Sequence, residues 1–105
     1  MSRFLNILLL IWLAGCTATH TVRKDDEGVT LALDLGGARE VLFASSLDGF
    51  TVHKARKGND GAWLVRDLDD REFRYFYIVD GKSYVPECRF MEKDDFGLMN
   101  CIYQP

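Results

Sequence analysis

The chain has 105 residues, 48% of them hydrophobic and 28% charged, which fits one globular domain and excludes both an intrinsically disordered chain and a multi-span membrane protein. Its formal net charge of −3, with no clustered Lys/Arg face, gives no electrostatic reason to approach a phosphate backbone, so nucleic acid is excluded as a partner. Outside the N-terminus no apolar run reaches the length of a membrane-spanning helix.

Residues 1–15 read as a processing signal. Arg3 supplies a positive n-region, Ile7 to Leu13 an apolar h-region, and Leu13-Ala14-Gly15-Cys16 a small-residue cleavage site that ends in cysteine. That ending resembles a bacterial lipobox, which implies that Cys16 is lipidated and becomes the first residue of an anchored, non-spanning protein. The alternative is an ordinary secretory signal or a short membrane anchor with an incidental cysteine. Thr17 follows, and by resemblance to lipoproteins of diderm bacteria a residue other than Asp there implies the outer membrane, facing the periplasm.

The stretch from Thr17 to Glu27 is polar, and residues 16–27 are expected to be the lipidated cysteine and a tether. A tether of this length reaches roughly 36 Å when fully extended. Its His20 is expected to be solvated.

The globular domain is expected over residues 28–105. Val29, Leu31, Leu33 and Leu35 alternate with Thr30, Ala32 and Asp34, as in a half-buried strand. A second strand spans Arg39 to Ser45, and a third, short and basic, spans Thr51 to Lys57. Gly58-Asn59-Asp60-Gly61 is a turn. Trp63 to Leu68 is the fourth strand, with Trp63 in the core.

Phe73 to Gly81 is the best candidate for a central strand, because, Arg74 apart, aromatic and β-branched residues run up to an Asp-Gly turn signal. Phe73, Tyr75, Tyr77 and Val79 share one face, and Arg74, Phe76, Ile78 and Asp80 the other. Both faces are largely apolar, as a strand inside a sandwich requires. A short strand from Lys82 to Val85, an acidic loop and a last strand from Leu98 to Gln104 complete about seven strands. Absence of helical periodicity makes the fold class all-β, an immunoglobulin-like sandwich.

Asp60-Gly61-Ala62-Trp63, the Tyr-x-Tyr-x-Val-Asp-Gly strand and Phe96-Gly97-Leu98-Met99-Asn100 occur in an order and spacing that resemble the family 48 carbohydrate-binding module. That family is similar to the glycogen-binding domain of the AMP-activated protein kinase beta subunit and to the early-set domain of isoamylases and branching enzymes. The resemblance runs from about Val29 to Gln104 and implies an early-set sandwich that binds α-glucan. Family positions fall on Phe50 and Phe76, on Ser83 or Tyr84, and on Phe96 to Asn100.

The resemblance therefore implies ligand contacts from Phe50, Phe76, Tyr84, Phe96 and Asn100, with rings stacking on sugar faces. Phe76 stands where the family has lysine, and Leu98 where it has threonine. Phe50 has an alternative role as a plug on the sandwich edge, Asn100 as a satisfier of local backbone groups, and an exposed Phe76 as part of a partner surface.

With Cys16 consumed by lipid, Cys88 and Cys101 form an even pair in an oxidising compartment, which favours a disulfide worth about 3 kcal/mol in the chain-entropy model. Two buried thiols are the alternative. Past the tether His53 is the only histidine, so no Ser-His-Asp or Cys-His catalytic arrangement is expected. Glu92, Asp94 and Asp95 lack calcium-loop spacing, and neither metal nor cofactor is expected.

Two functional classes follow. One is a lipid-anchored, non-catalytic module for α-glucan or another envelope polysaccharide. The other is a protein-interaction module that docks an envelope partner with the same aromatic surface or with a sheet edge.

Overall fold

A computed structural model describes residues 18–105, so the signal sequence and Cys16 lie outside the described residues. Two antiparallel sheets pack as an all-β sandwich. The first sheet holds β1 (Thr19–Asp25), β2 (Gly28–Asp34), β6 (Trp63–Leu68) and β5 (Arg56–Lys57), in that spatial order. The second runs β4 (His53–Lys54), β3 (Val41–Ser45), β7 (Phe73–Val79), β10 (Met99–Tyr103) and β9 (Phe90–Lys93). A short β8 (Lys82–Tyr84) pairs with the second half of β7.

The alternation in β2 does what the sequence predicts: Val29, Leu31 and Leu33 are each 0% exposed, while Asp34 faces solvent. From the opposite sheet β7 contributes Phe73, Tyr75 and Tyr77, and β3 contributes Val41 and Phe43. Tyr75 and Tyr77 meet edge to face at 6.1 Å, and Phe43 lies 5.5 Å from Tyr77, separations at which aromatic quadrupoles attract. Trp63 belongs to this core, as expected, and its Nε1 has no hydrogen-bond partner among the described residues.

Cys88 and Cys101 are joined by a disulfide, with Cα atoms 5.8 Å apart. It ties the segment before β9 to the buried face of β10.

Four expectations are corrected. Thr19–Asp25 is not a tether but a strand, paired with β2 from Thr19↔Asp34 to Asp25↔Gly28, so the sandwich begins before residue 28. His20 is not solvated: its Nε2 lies 3.0 Å from the Tyr77 hydroxyl and its ring stacks on Tyr75 at 5.8 Å. The single strand expected over Thr51 to Lys57 is two, β4 in one sheet and β5 in the other, with buried Ala55 at the corner between them. Ala55 N donates to Val41 O at 2.9 Å, which holds the corner where the chain changes sheets.

The fourth correction concerns the acidic loop, part of which is β9, hydrogen-bonded to β10. Among the described residues the strands number ten instead of about seven. On β7 only one face enters the core, and Arg74, Phe76 and Ile78 lie half-buried on the outside of the second sheet.

Candidate aromatic face and its surroundings

The outer face of the second sheet is built from alternating residues of five strands. Ladder pairs Ala44↔Phe76 and Leu42↔Ile78 set β3 against β7 on that side, and Ile78↔Ser83 adds β8. Arg74↔Ile102 adds β10, and Asn100↔Glu92 adds β9. The inward partners of the same strands, Phe43, Tyr75, Tyr77 and Cys101, fill the core.

Phe50 reaches this face from a loop. Ser45 caps a short 3₁₀ turn at Ser46–Asp48, its hydroxyl accepting from Leu47 N. Gly49 then takes a left-handed conformation, and Phe50 follows at φ 65. Its N–H donates to Ser45 O at 2.7 Å. A non-glycine residue at positive φ is uncommon, and the local hydrogen bond holds it there. The Phe50 ring lies against Phe76 with centroids 6.1 Å apart and planes 22° from parallel, and Phe50 remains 40% exposed.

Beside the two rings runs a polar row. Arg74 Nε donates to Glu92 Oε2 at 2.5 Å and Nη1 to Glu72 Oε2 at 3.2 Å, and the hydrogen bond to Glu92 does most to raise the guanidinium's pKa above its ordinary value. Arg74 N donates to Ser46 Oγ at 2.9 Å, which fixes the start of β7 to the turn that carries Phe50. Asn100, 8% exposed, sits opposite Glu92.

Of the residues assigned from the sequence, Phe50, Phe76 and Asn100 share this face. Tyr84 does not. It pairs with Tyr77 and packs on the core side of the sheet, leaving the adjacent Ser83 on the outer face, since neighbouring strand residues point to opposite sides. Phe96 stands apart at the tip of the β9–β10 hairpin, 91% exposed. Asp94 Oδ1 shapes that tip by accepting from Phe96 N and Leu98 N, both at 2.9 Å.

Arg74 and Glu92 are the participants that the sequence reading missed. Arg74 could have been found from its place two residues from Phe76 on one strand face. Glu92 had no such signal, because its strand has no buried side.

His53 pairs with Asp48 at 2.5 Å, and this hydrogen bond is the main cause holding the Asp48 carboxyl below its usual range. Among the described residues no group of three His, Cys, Asp or Glu side chains is arranged to hold a metal, and no helix is long and apolar enough to cross a membrane. No protein-family model matches the chain, and no curated protein matches it.

Proposed function

We propose that the chain is a lipid-anchored envelope protein whose sandwich is a non-catalytic carbohydrate-binding module of the family 48 kind, holding an α-glucan-like polysaccharide on the outer face of the second sheet. The observation that carries this reading is the near-parallel Phe50–Phe76 pair on an open sheet face, with Arg74, Glu92 and Asn100 beside it. Flat rings bind the apolar faces of pyranoses, and charged hydrogen-bonding groups at the margin fix the hydroxyls. The lipobox-like Leu13-Ala14-Gly15-Cys16 supports the anchor.

A second reading, docking of an envelope protein, is favoured by one specific feature. The β9–β10 hairpin exposes Phe90, Met91, Phe96, Leu98 and Met99, and β9 is an edge strand. An edge with exposed apolar side chains is a template for a partner strand.

Affinity electrophoresis separates the two. The full chain, in a polyoxyethylene detergent that carries no sugar, is run through gels containing glycogen, amylose or envelope polysaccharides, beside a Phe50→Ala, Phe76→Ala variant. Retardation of the parent that the variant loses is the expected result. Free migration of the parent in every gel would overturn the glycan reading for those polymers.

A further inference from the structure

We propose that the cleft at the crossover between the two sheets is a second binding site, built for a phosphate-bearing ligand of sugar-phosphate size. It lies at the β4–β5 edge, neither Phe50 nor Phe76 lines it, and it does not depend on the glycan reading.

The cleft exists because of how the chain changes sheets. β4 covers β3 only at Leu42 and Phe43, and β5 covers β6 only at Trp63 and Leu64. Past these short ladders the two sheets are left open along one edge, and a cavity of about 820 Å³ enters between them. That volume lies within the range of small-molecule sites, roughly 300 to 1,000 Å³. Phe43, Leu47, Val65 and Leu68 give it apolar walls, with Ser45 and Asn59 adding hydrogen-bonding groups.

Its rim is cationic, which corrects the expectation that no Lys/Arg face is clustered: residues of β4, β5 and β6 meet where the chain changes sheets. Lys54, Arg56, Lys57 and Arg66 all line the cavity and are all exposed, in a chain whose net charge is −3. Ion pairs among the described residues engage Lys24, His53, Arg71 and Arg74, and none of these four. Two acids share the wall, Asp67 and Asp48, the latter hydrogen-bonded to His53, so the lining sets four cations against two carboxylates.

Cations in excess around one concavity repel one another, and a bound anion relieves that repulsion. Guanidinium forks match phosphate oxygens in pairs, and lysines add point charge, which makes phosphate the fitting class. Lys57 Nζ, 5.7 Å from the centre of the Trp63 ring, is positioned at the rim by that contact.

The test is calorimetric titration of the full chain, in the same sugar-free detergent at low salt, with glucose 6-phosphate, glucose and the deacylated headgroup of a phosphoinositide. Either phosphorylated probe is expected to bind while glucose does not compete, and the tighter of the two identifies a free sugar phosphate or a lipid headgroup as the source. Arg56→Gln, Lys57→Gln should weaken binding about tenfold or more, the scale of losing charge-assisted hydrogen bonds. A charge-matched control, Arg23→Gln, Lys82→Gln, distant from the cleft in sequence and absent from its walls, should leave it unchanged. No binding of either phosphorylated probe, or equal weakening by both pairs of substitutions, overturns the proposal.

Discussion

A single imidazole ties the first strand to the opposite sheet. His20 Nε2 meets the Tyr77 hydroxyl at 3.0 Å, and burial pushes the imidazole's pKa down from 6.5 to about 4. Above pH 6.5 the group is neutral folded or unfolded and contributes no pH dependence. As pH falls from there to about 4 the unfolded chain takes up a proton that the folded chain refuses, so stability falls with pH and the loss is complete below 4. Asp48 and Asp70 have carboxyls held below the ordinary 3.8, chiefly by hydrogen bonds from His53 and Tyr103, so their losses begin only at lower pH and leave the window to His20. The urea midpoint is therefore expected to drop between pH 7 and pH 4.5, and His20→Gln, which can still pair with Tyr77 but cannot titrate there, should flatten that drop. An equally steep dependence in the variant would remove His20 from the explanation.

At the scale of elements, the β1–β2 hairpin shows how backbone can matter more than side chain. Asp25 Oδ1 accepts from Glu27 N at 2.8 Å and Gly28 N at 3.1 Å to close the turn. Gly28 then sits at φ 133, where an added Cβ would come within 2.5 Å of Leu68 O. The β2–β6 register shifts between Val29 and Leu31, with Asp67 at positive φ on the facing strand, so the two backbones approach closely at this irregularity. Gly28→Ala should cost about 2 kcal/mol or more, from a strained φ and a collision with backbone. Urea denaturation measures it, and an unchanged midpoint would mean that the irregular register absorbs the methyl group.

The same scale explains what was legible in the sequence. β2, β3, β6, β7 and β10 each bury side chains, and the apolar alternation of β2 and the aromatic and β-branched run of β7 are the signals that mark strands in the sequence. In β1 only His20 is even half-buried, and in β9 all four residues are exposed. Edge strands held by ladder hydrogen bonds write no hydrophobic period, so one read as a tether and the other as an acidic loop. At the aromatic face the reading found Phe50 and Phe76, which adjoin in space, but took Tyr84 where a one-residue shift puts Ser83. The Arg74–Glu92 pair joins two strands through β10 and had no sequence-local signature.

The molecule is a small sandwich with a disulfide that reaches its core at Cys101, and with two distinct surfaces. The loop closed by Cys88 and Cys101 is short, and the bond should contribute about 3 kcal/mol in the chain-entropy account, help that a core of this size needs. The outer face of the second sheet carries rings and a polar row, whereas the crossover edge carries cations outside any ion pair among the described residues, so the two proposed ligands would meet different residues. The most direct measurement of the central claim is a backbone amide NMR titration of the ¹⁵N-labelled full chain with a linear malto-oligosaccharide. Shifts concentrated at Arg74, Phe76, Glu92 and Asn100, with the loop at Phe50, are the predicted result. A spectrum unmoved by the sugar, or shifts confined to the β9–β10 hairpin tip or to Lys54, Arg56 and Lys57, would contradict it.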